Sequence, residues 1–263
     1  MTVKIENRPP SEQERKALRE RNLAAFRRLY PTTASMIESH RPLANLVFNE
    51  DGTPDLEFMG QSFYDGNIQG FTENQLKTYW KSPHRLALPR VQASSLDTYG
   101  QFTMQRFLDR SRDELGVEFR VQRQTEPAFF LLVQGIGLAP HLDELLERTQ
   151  CRNLILMDSS LEGLYQSLDI YDWEKLLMTM QERNGDAFFF ISDDVPALID
   201  GLRNRIRGSS VTTVDGAYIY QHFNSSMFDE FTKVFNKEAS LLLAGLGFFY
   251  DEQVMLRNAK TNL

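Results

Sequence analysis

The sequence predicts an α/β fold: a Rossmann-like three-layer parallel sheet preceded by a small helix-and-hairpin subdomain. Three observations lead there. From about residue 121, short apolar runs ("AFFLLVQ", "NLILMD", "DAFFFIS") alternate with amphipathic stretches. Continuous apolar strands belong to parallel sheets covered by helices on both faces. Before that point a helical period gives way to two short apolar runs around the turn signal "NEDG". The composition, 41% hydrophobic and 25% charged over 263 residues, is that of an ordinary soluble globular chain.

Each element follows in order. Ser11 with Glu14 three residues later is a capping-box pattern. Leu18, Leu23, Phe26 and Leu29 then give an apolar stripe at helical spacing, which Pro31 ends. "TTASMIESH" predicts a short second helix, and residues 44–60 a hairpin. "TENQLKTYWKSP", 72–83, reads as a helix with Thr72 as cap and Pro83 as stop, and 94–116 as a longer helix ending at Gly116. The strands 128–134, 153–158 and 186–192 alternate with helices through Leu142–Leu146, Leu161–Leu168 and Leu198–Ile206. "VTTVDGAYIYQHF" suits a strand or a helix, and the remainder is mostly helical. The expected organisation is a subdomain over 1–120, a Rossmann-like domain over 121–235, and a helical segment over 236–263 leading to a further domain.

Charge and cysteine content narrow the function. A net charge of −7 disfavours binding to nucleic acid. One cysteine, Cys151, excludes an intramolecular disulfide framework and fits a reducing cytoplasm. "MTVKIENRPP" has no apolar core of a signal peptide. The most apolar window, 239–250, is too short for a bilayer, which takes roughly 20 helical residues. No membrane association is expected.

The candidate site is the turn in "FFLLVQGIGLAPHLDELL". Gly135 and Gly137 follow a strand and open a helix, and Asp158 ends the next strand, about 20 residues on, where a ribose-binding acid is expected. Glycines let a backbone approach a phosphate, and a helix N-terminus offers free N–H groups. The third glycine position holds Pro140, and no basic residue lies in the turn. The glycines serve equally well to make a tight strand–helix turn with no ligand. His141 either points into a ligand cleft or sits exposed on the first turn of the helix. Gly135, Gly137, His141 and Asp158 are therefore the candidate cofactor-binding residues, for a nucleotide or nucleotide-sugar. Asp193–Asp194 resemble a metal-holding pair of sugar-nucleotide transferases, but Ser192 or Asp193 suits a helix N-cap and Pro196 a first turn. Arg203, Arg205 and Arg207 read as a solvated face at a helix C-terminus. The four histidines stand apart in sequence, and no H-E-x-x-H, C-x-x-C or G-x-S-x-G occurs. No catalytic or metal residue is assigned.

Several blocks in order resemble the N-terminal region of the motility-associated factor (Maf) glycosyltransferases: "NLAAFRRLYP", "QLKTYWKSPHRL", "LLVQGIGLAPHLDELLE", "NLILMDSSLEGLYQSLDIYDWEKLL" and "GLGFFYDEQVMLRNAKTNL". The resemblance implies a bacterial protein linked to the transfer of nonulosonic acids to flagellin serines and threonines. It implies flagellin and a downstream sialyltransferase-like domain as partners. The glycine-rich "GPSL"-type motif that opens the family's catalytic module is not in this sequence, so no catalytic residue transfers. The expectation is a cytoplasmic accessory domain, non-catalytic by itself. The alternative is a nucleotide-binding enzyme resembling S-adenosylmethionine-dependent methyltransferases.

Overall fold

A computed structural model describes residues 9–86, 106, 109–110, 112–116, 127–207, 214 and 216–237. Helix α1 (Glu12–Leu29) starts at the capping box, with Ser11 Oγ accepting the Glu14 N–H and the Glu14 carboxylate accepting from Ser11. Pro31 ends α1 and opens α2 (Pro31–Ser39), because a proline ring suits a first helical turn and needs no N–H there. The hairpin is β1 (Ala44–Phe48) and β2 (Pro54–Phe58), antiparallel, with a two-residue edge strand β3 (Gln61–Ser62).

Helix α3 (Ile68–Lys81) begins earlier than its sequence predicts. Asn67, not Thr72, caps it by accepting the Gly70 N–H, while the buried Thr72 hydroxyl donates to the Ile68 carbonyl inside the helix. The described residues between 106 and 115 are helical, and the expected helix residues 94–105 lie outside the described set.

The sheet follows: β4 (Phe130–Gln134), α4 (Leu142–Thr149), β5 (Asn153–Asp158), α5 (Glu162–Ser167), α6 (Trp173–Glu182), β6 (Asp186–Ile191), α7 (Val195–Arg207) and β7 (Tyr218–Gln221). A further helix, α8, covers 226–237; the segment beyond it is outside the described residues. All four strands run parallel, in the order β6-β5-β4-β7. The ambiguous "YIYQ" is thus a strand.

Strand alternation divides the core. Leu131, Val133, Leu154 and Leu156 face one cluster under α1, α4 and α6; Phe130, Leu132, Ile155 and Met157 face another under α7 and α8. This is the expected three-layer α/β arrangement. The N-terminal helices share the first cluster: Phe26 packs against Trp173 and Phe189, with ring centroids 5.8 and 5.2 Å apart. Glu162, on α5, fixes the hairpin by accepting the amides of Leu43 and Ala44, both at 3.0 Å. Cys151 is fully buried before β5, and burial pushes its thiol up to about 11.

At the start of α7 the acidic pair has a local use. Asp194 directly precedes the helix, and its carboxylate lies 3.5 Å from the Ala197 N–H in an N-cap position. Arg205 is not on a solvated face: it lies 3.8 Å from the Phe188 ring centroid and donates to Asn153 Oδ1 at 2.6 Å.

Candidate functional site

The structure brings the four candidate residues together around the turn after β4. Gly135, Gly137 and Ala139 all adopt positive φ (+89°, +50° and +65°). That conformation suits glycine and explains two of the three positions without a ligand. The whole turn is inside the protein: residues 135–139, 141 and 142 are buried and Pro140 is half-buried.

Its amides are spoken for. The Gly135 N–H extends the ladder to the Met157 carbonyl at 2.8 Å. The Ile136 N–H donates to Asp158 Oδ2 at 2.8 Å, and the Gly137 amide also bonds this carboxylate. The Leu138 N–H donates to the Tyr64 hydroxyl at 3.0 Å. Asp158, expected to meet a ribose, instead clamps the turn. Burial pushes its carboxyl up, against the hydrogen bonds that favour its charge.

Side chains fill the space that the glycines leave. A β-carbon on Gly135 would come within 2.7 Å of the Phe223 ring. One on Gly137 would overlap the Tyr64 hydroxyl and lie 2.6 Å from Phe223 Cζ. A β-carbon on Gly163 of α5 would sit 2.7 Å from the Gly137 nitrogen, so helix and turn touch backbone to backbone. The cradle that a phosphate would occupy therefore holds Tyr64 and Phe223.

Tyr64 is placed by Asp55. This buried carboxylate, on β2, accepts the N–H groups of Leu56, Phe63, Tyr64 and Gly66 and the Ser62 hydroxyl, at 2.6–3.2 Å. Desolvation opposes the charge, but hydrogen bonds from Ser62, Gly66, Tyr64 and Leu56 outweigh it and hold the carboxyl below its ordinary range.

His141 is not exposed. It is fully buried, and neither ring nitrogen has a hydrogen-bond partner among the described residues. Its ring lies 3.9 Å from that of His222, which follows β7, so two histidines far apart in sequence form a pair. His222 Nε2 lies 3.3 Å from the Tyr64 hydroxyl, which also accepts the Leu138 N–H. Burial pushes His222 down to about 3, and burial together with His222 pushes His141 well below its ordinary value. Both rings are neutral at pH 7. No group of three histidine, cysteine or acidic side chains suited to a metal comes together among the described residues. Asp55, Tyr64, His222 and Phe223 complete the site, and sequence spacing pointed to none of them.

This pairing sets a pH dependence. The unfolded chain takes up protons on both histidines near 6.5, whereas the folded chain does not until far lower pH. Stability is therefore present in full above about 6.5 and falls as pH drops toward 3. The expected slope is about 1.4 kcal/mol per pH unit for each histidine. Urea unfolding between pH 7 and 5 measures it; His84, also pushed down by burial, adds in the same sense, and His222→Phe should reduce the slope by about 1.4 kcal/mol per pH unit. Asp158, pushed up by burial, acts in the opposite sense.

No helix among the described residues is long and apolar enough to cross a membrane. No curated protein sequence matches the chain. Among solved structures, the chain is similar to a Maf glycosyltransferase from Magnetospirillum magneticum AMB-1, at 28% identity and a TM-score of 0.69. The likeness covers 87% of this chain and 35% of that one, so the chain spans about a third of the relative's length. The family model of the glycosyltransferase Maf N-terminal domain matches residues 18–244. The chain therefore belongs to the glycosyltransferase Maf N-terminal domain family.

Proposed function

We propose that the chain is the accessory N-terminal domain of a cytoplasmic glycosyltransferase that moves nonulosonic acids onto flagellin serines and threonines. It binds the acceptor or packs against the downstream sialyltransferase-like domain, and it does not itself transfer the sugar. One observation carries this reading: Tyr64, Phe223 and Asp158 occupy the steric and hydrogen-bonding positions of a phosphate cradle. A Rossmann-like sheet so closed keeps its architecture while giving up the usual nucleotide position. The alternative, an S-adenosylmethionine-dependent enzyme, needs that cradle open. The nucleotide-sugar donor then belongs to the downstream domain.

The test uses the 263-residue chain alone with flagellin and a CMP-linked nonulosonic acid. Retention of flagellin on the immobilised chain is expected, with no mass added to flagellin. Melting temperature should not rise with CMP, S-adenosylmethionine or NAD, since a ligand that binds only the folded state stabilises it. Sugar transfer by this chain alone, or a rise with any of the three, overturns the reading.

A further inference from the structure

Seven large apolar side chains are exposed among the described residues, and four of them, Leu43, Phe58, Met59 and Phe63, belong to the hairpin subdomain. They gather at one end of its sheet. Phe58 closes β2 and is the register partner of Ala44, which adjoins Leu43. Met59 and Gly60 make the turn into β3, and Phe63 follows β3, its N–H donating to the Leu56 carbonyl. Opposite residues of an antiparallel pair share a face, as do residues two apart on a strand. Phe58 and Phe63 therefore lie on the face where Leu56 enters the core. The apolar face of the hairpin runs on past the core it covers. Met59 is 87% exposed and Leu43 73%. Single exposed apolar residues are ordinary, whereas a cluster marks a contact surface.

The turn points the same way. Phe58 pairs with Gln61, and Met59 and Gly60 between them both have positive φ, +52° and +77°. A two-residue turn of that form favours Asn-Gly. Gly60 fits it. Methionine does not, because left-handed backbone is costly for a side chain that cannot bond to the nearby main chain. Packing does not offset that cost, since the side chain lies almost wholly outside. The tip stands on a fixed base: the Ser62 hydroxyl and the N–H groups of Phe63, Tyr64 and Gly66 are all pinned to Asp55.

Size and charge select the occupant. At roughly 200 Å² for a large side chain, the four exposures amount to about 500 Å². That matches the apolar share, about 60%, of the roughly 800 Å² that each partner brings to a standard protein–protein interface. From Pro42 to Leu76 the chain has six acidic side chains and no lysine, arginine or histidine. Glu57 beside Phe58, and Asp65 two residues after Phe63, make no ion pair with described residues. Arg41, two residues before Leu43, is the nearest cation in sequence. A second copy is disfavoured, because a two-fold contact sets Glu57 and Asp65 against their own kind between chains of net charge −7. An anionic lipid surface is disfavoured, because such surfaces attract clusters of lysine and arginine.

We infer that the hairpin end formed by Leu43, Phe58, Met59 and Phe63 docks a protein surface with an apolar centre and a rim of lysine and arginine. Apolar burial supplies the affinity, and the hairpin acids orient the partner and turn away acidic competitors. The inference goes beyond the proposed function and does not rest on it.

Fluorescence anisotropy tests this with the 263-residue chain and a labelled, end-blocked helical peptide carrying leucine on one face and lysine on the other. Saturable binding is expected, at least tenfold tighter than to the same peptide with glutamate in place of lysine. Phe58→Ser and Met59→Asn should each weaken it at least tenfold, whereas Met178→Ser, at an exposed methionine of α6, should leave it unchanged. Met59→Asn removes the apolar tip but suits the turn, so its melting temperature should hold or rise, and lost binding is then not lost folding. Glu57→Lys combined with Asp65→Lys should narrow the preference for the lysine peptide. No binding at millimolar peptide, equal binding of the glutamate peptide, or binding unaltered by Met59→Asn overturns the inference. So does a dimer of the chain alone, or its sedimentation with phosphatidylserine vesicles, if Met59→Asn abolishes either, since a second copy or a membrane is then the occupant.

Discussion

Gly137→Ala is expected to destabilise the fold by about 2–5 kcal/mol, the sum of a left-handed backbone penalty and a steric overlap. The residue sits at φ +50°, and its new methyl would overlap the Tyr64 hydroxyl and press on Phe223. Neither neighbour can retreat cheaply. Tyr64 is held by the Leu138 amide and by Asp55-anchored backbone, and the Phe223 ring is wedged 4.3 Å from both Phe63 and His222. Gly60→Ala isolates the two contributions. Gly60 also has positive φ, +77°, but nothing lies within 4 Å of its would-be β-carbon. It should lose only about 1 kcal/mol, from backbone strain. Chemical denaturation of both variants checks the difference, and equal losses would mean that the turn is not plugged as described.

Asp55→Ala should cost on the order of 3–5 kcal/mol, because it strips a shared acceptor from several buried donors at once. Four backbone N–H groups and the Ser62 hydroxyl converge on that carboxylate. Without it the loop 62–66 loses the shape that presents Tyr64 to the glycine turn. Asp55→Asn keeps the outline but turns one acceptor into an NH₂ facing donors, so an intermediate loss is expected. Because the folded carboxyl is held low, its contribution is present above the ordinary carboxylate value and is lost as pH falls through the depressed one. Unfolding of wild type and Asp55→Ala at pH 7 and pH 2.5 should show their gap narrowing at the lower pH.

These two sites show which part of the molecule could be read from sequence. Strands β4, β5 and β6 were legible because four to six apolar residues in a row, bounded by polar or proline positions, suit little but a buried strand. Strand β7 was not. In "YIYQ" the two tyrosines face one core cluster and Ile219 the other, and so short a run carries no decisive period. The start of α3 was missed because "DGN" spells a turn, and the same Asn67 that reads as loop is the helix cap. At the site, Gly135, Gly137, His141 and Asp158 could be selected because they follow β4 and β5 at regular spacing. Their partners arrive by tertiary contact. Tyr64 lies more than seventy positions before Leu138, to which it bonds, and His222 more than eighty after His141. No local pattern encodes such meetings, so the sequence left an open cradle and a closed turn side by side, and the structure shows a socket with its plug in place.

The lone thiol has a practical consequence. Cys151 is sealed in the core and stays protonated at neutral pH, so maleimide reagents should pass it by while the chain is folded. A cysteine introduced on an outer helix surface can then carry a fluorophore at one known position, without first engineering the native sulfur away. Slow modification of Cys151 itself becomes a clock for transient opening of the sheet.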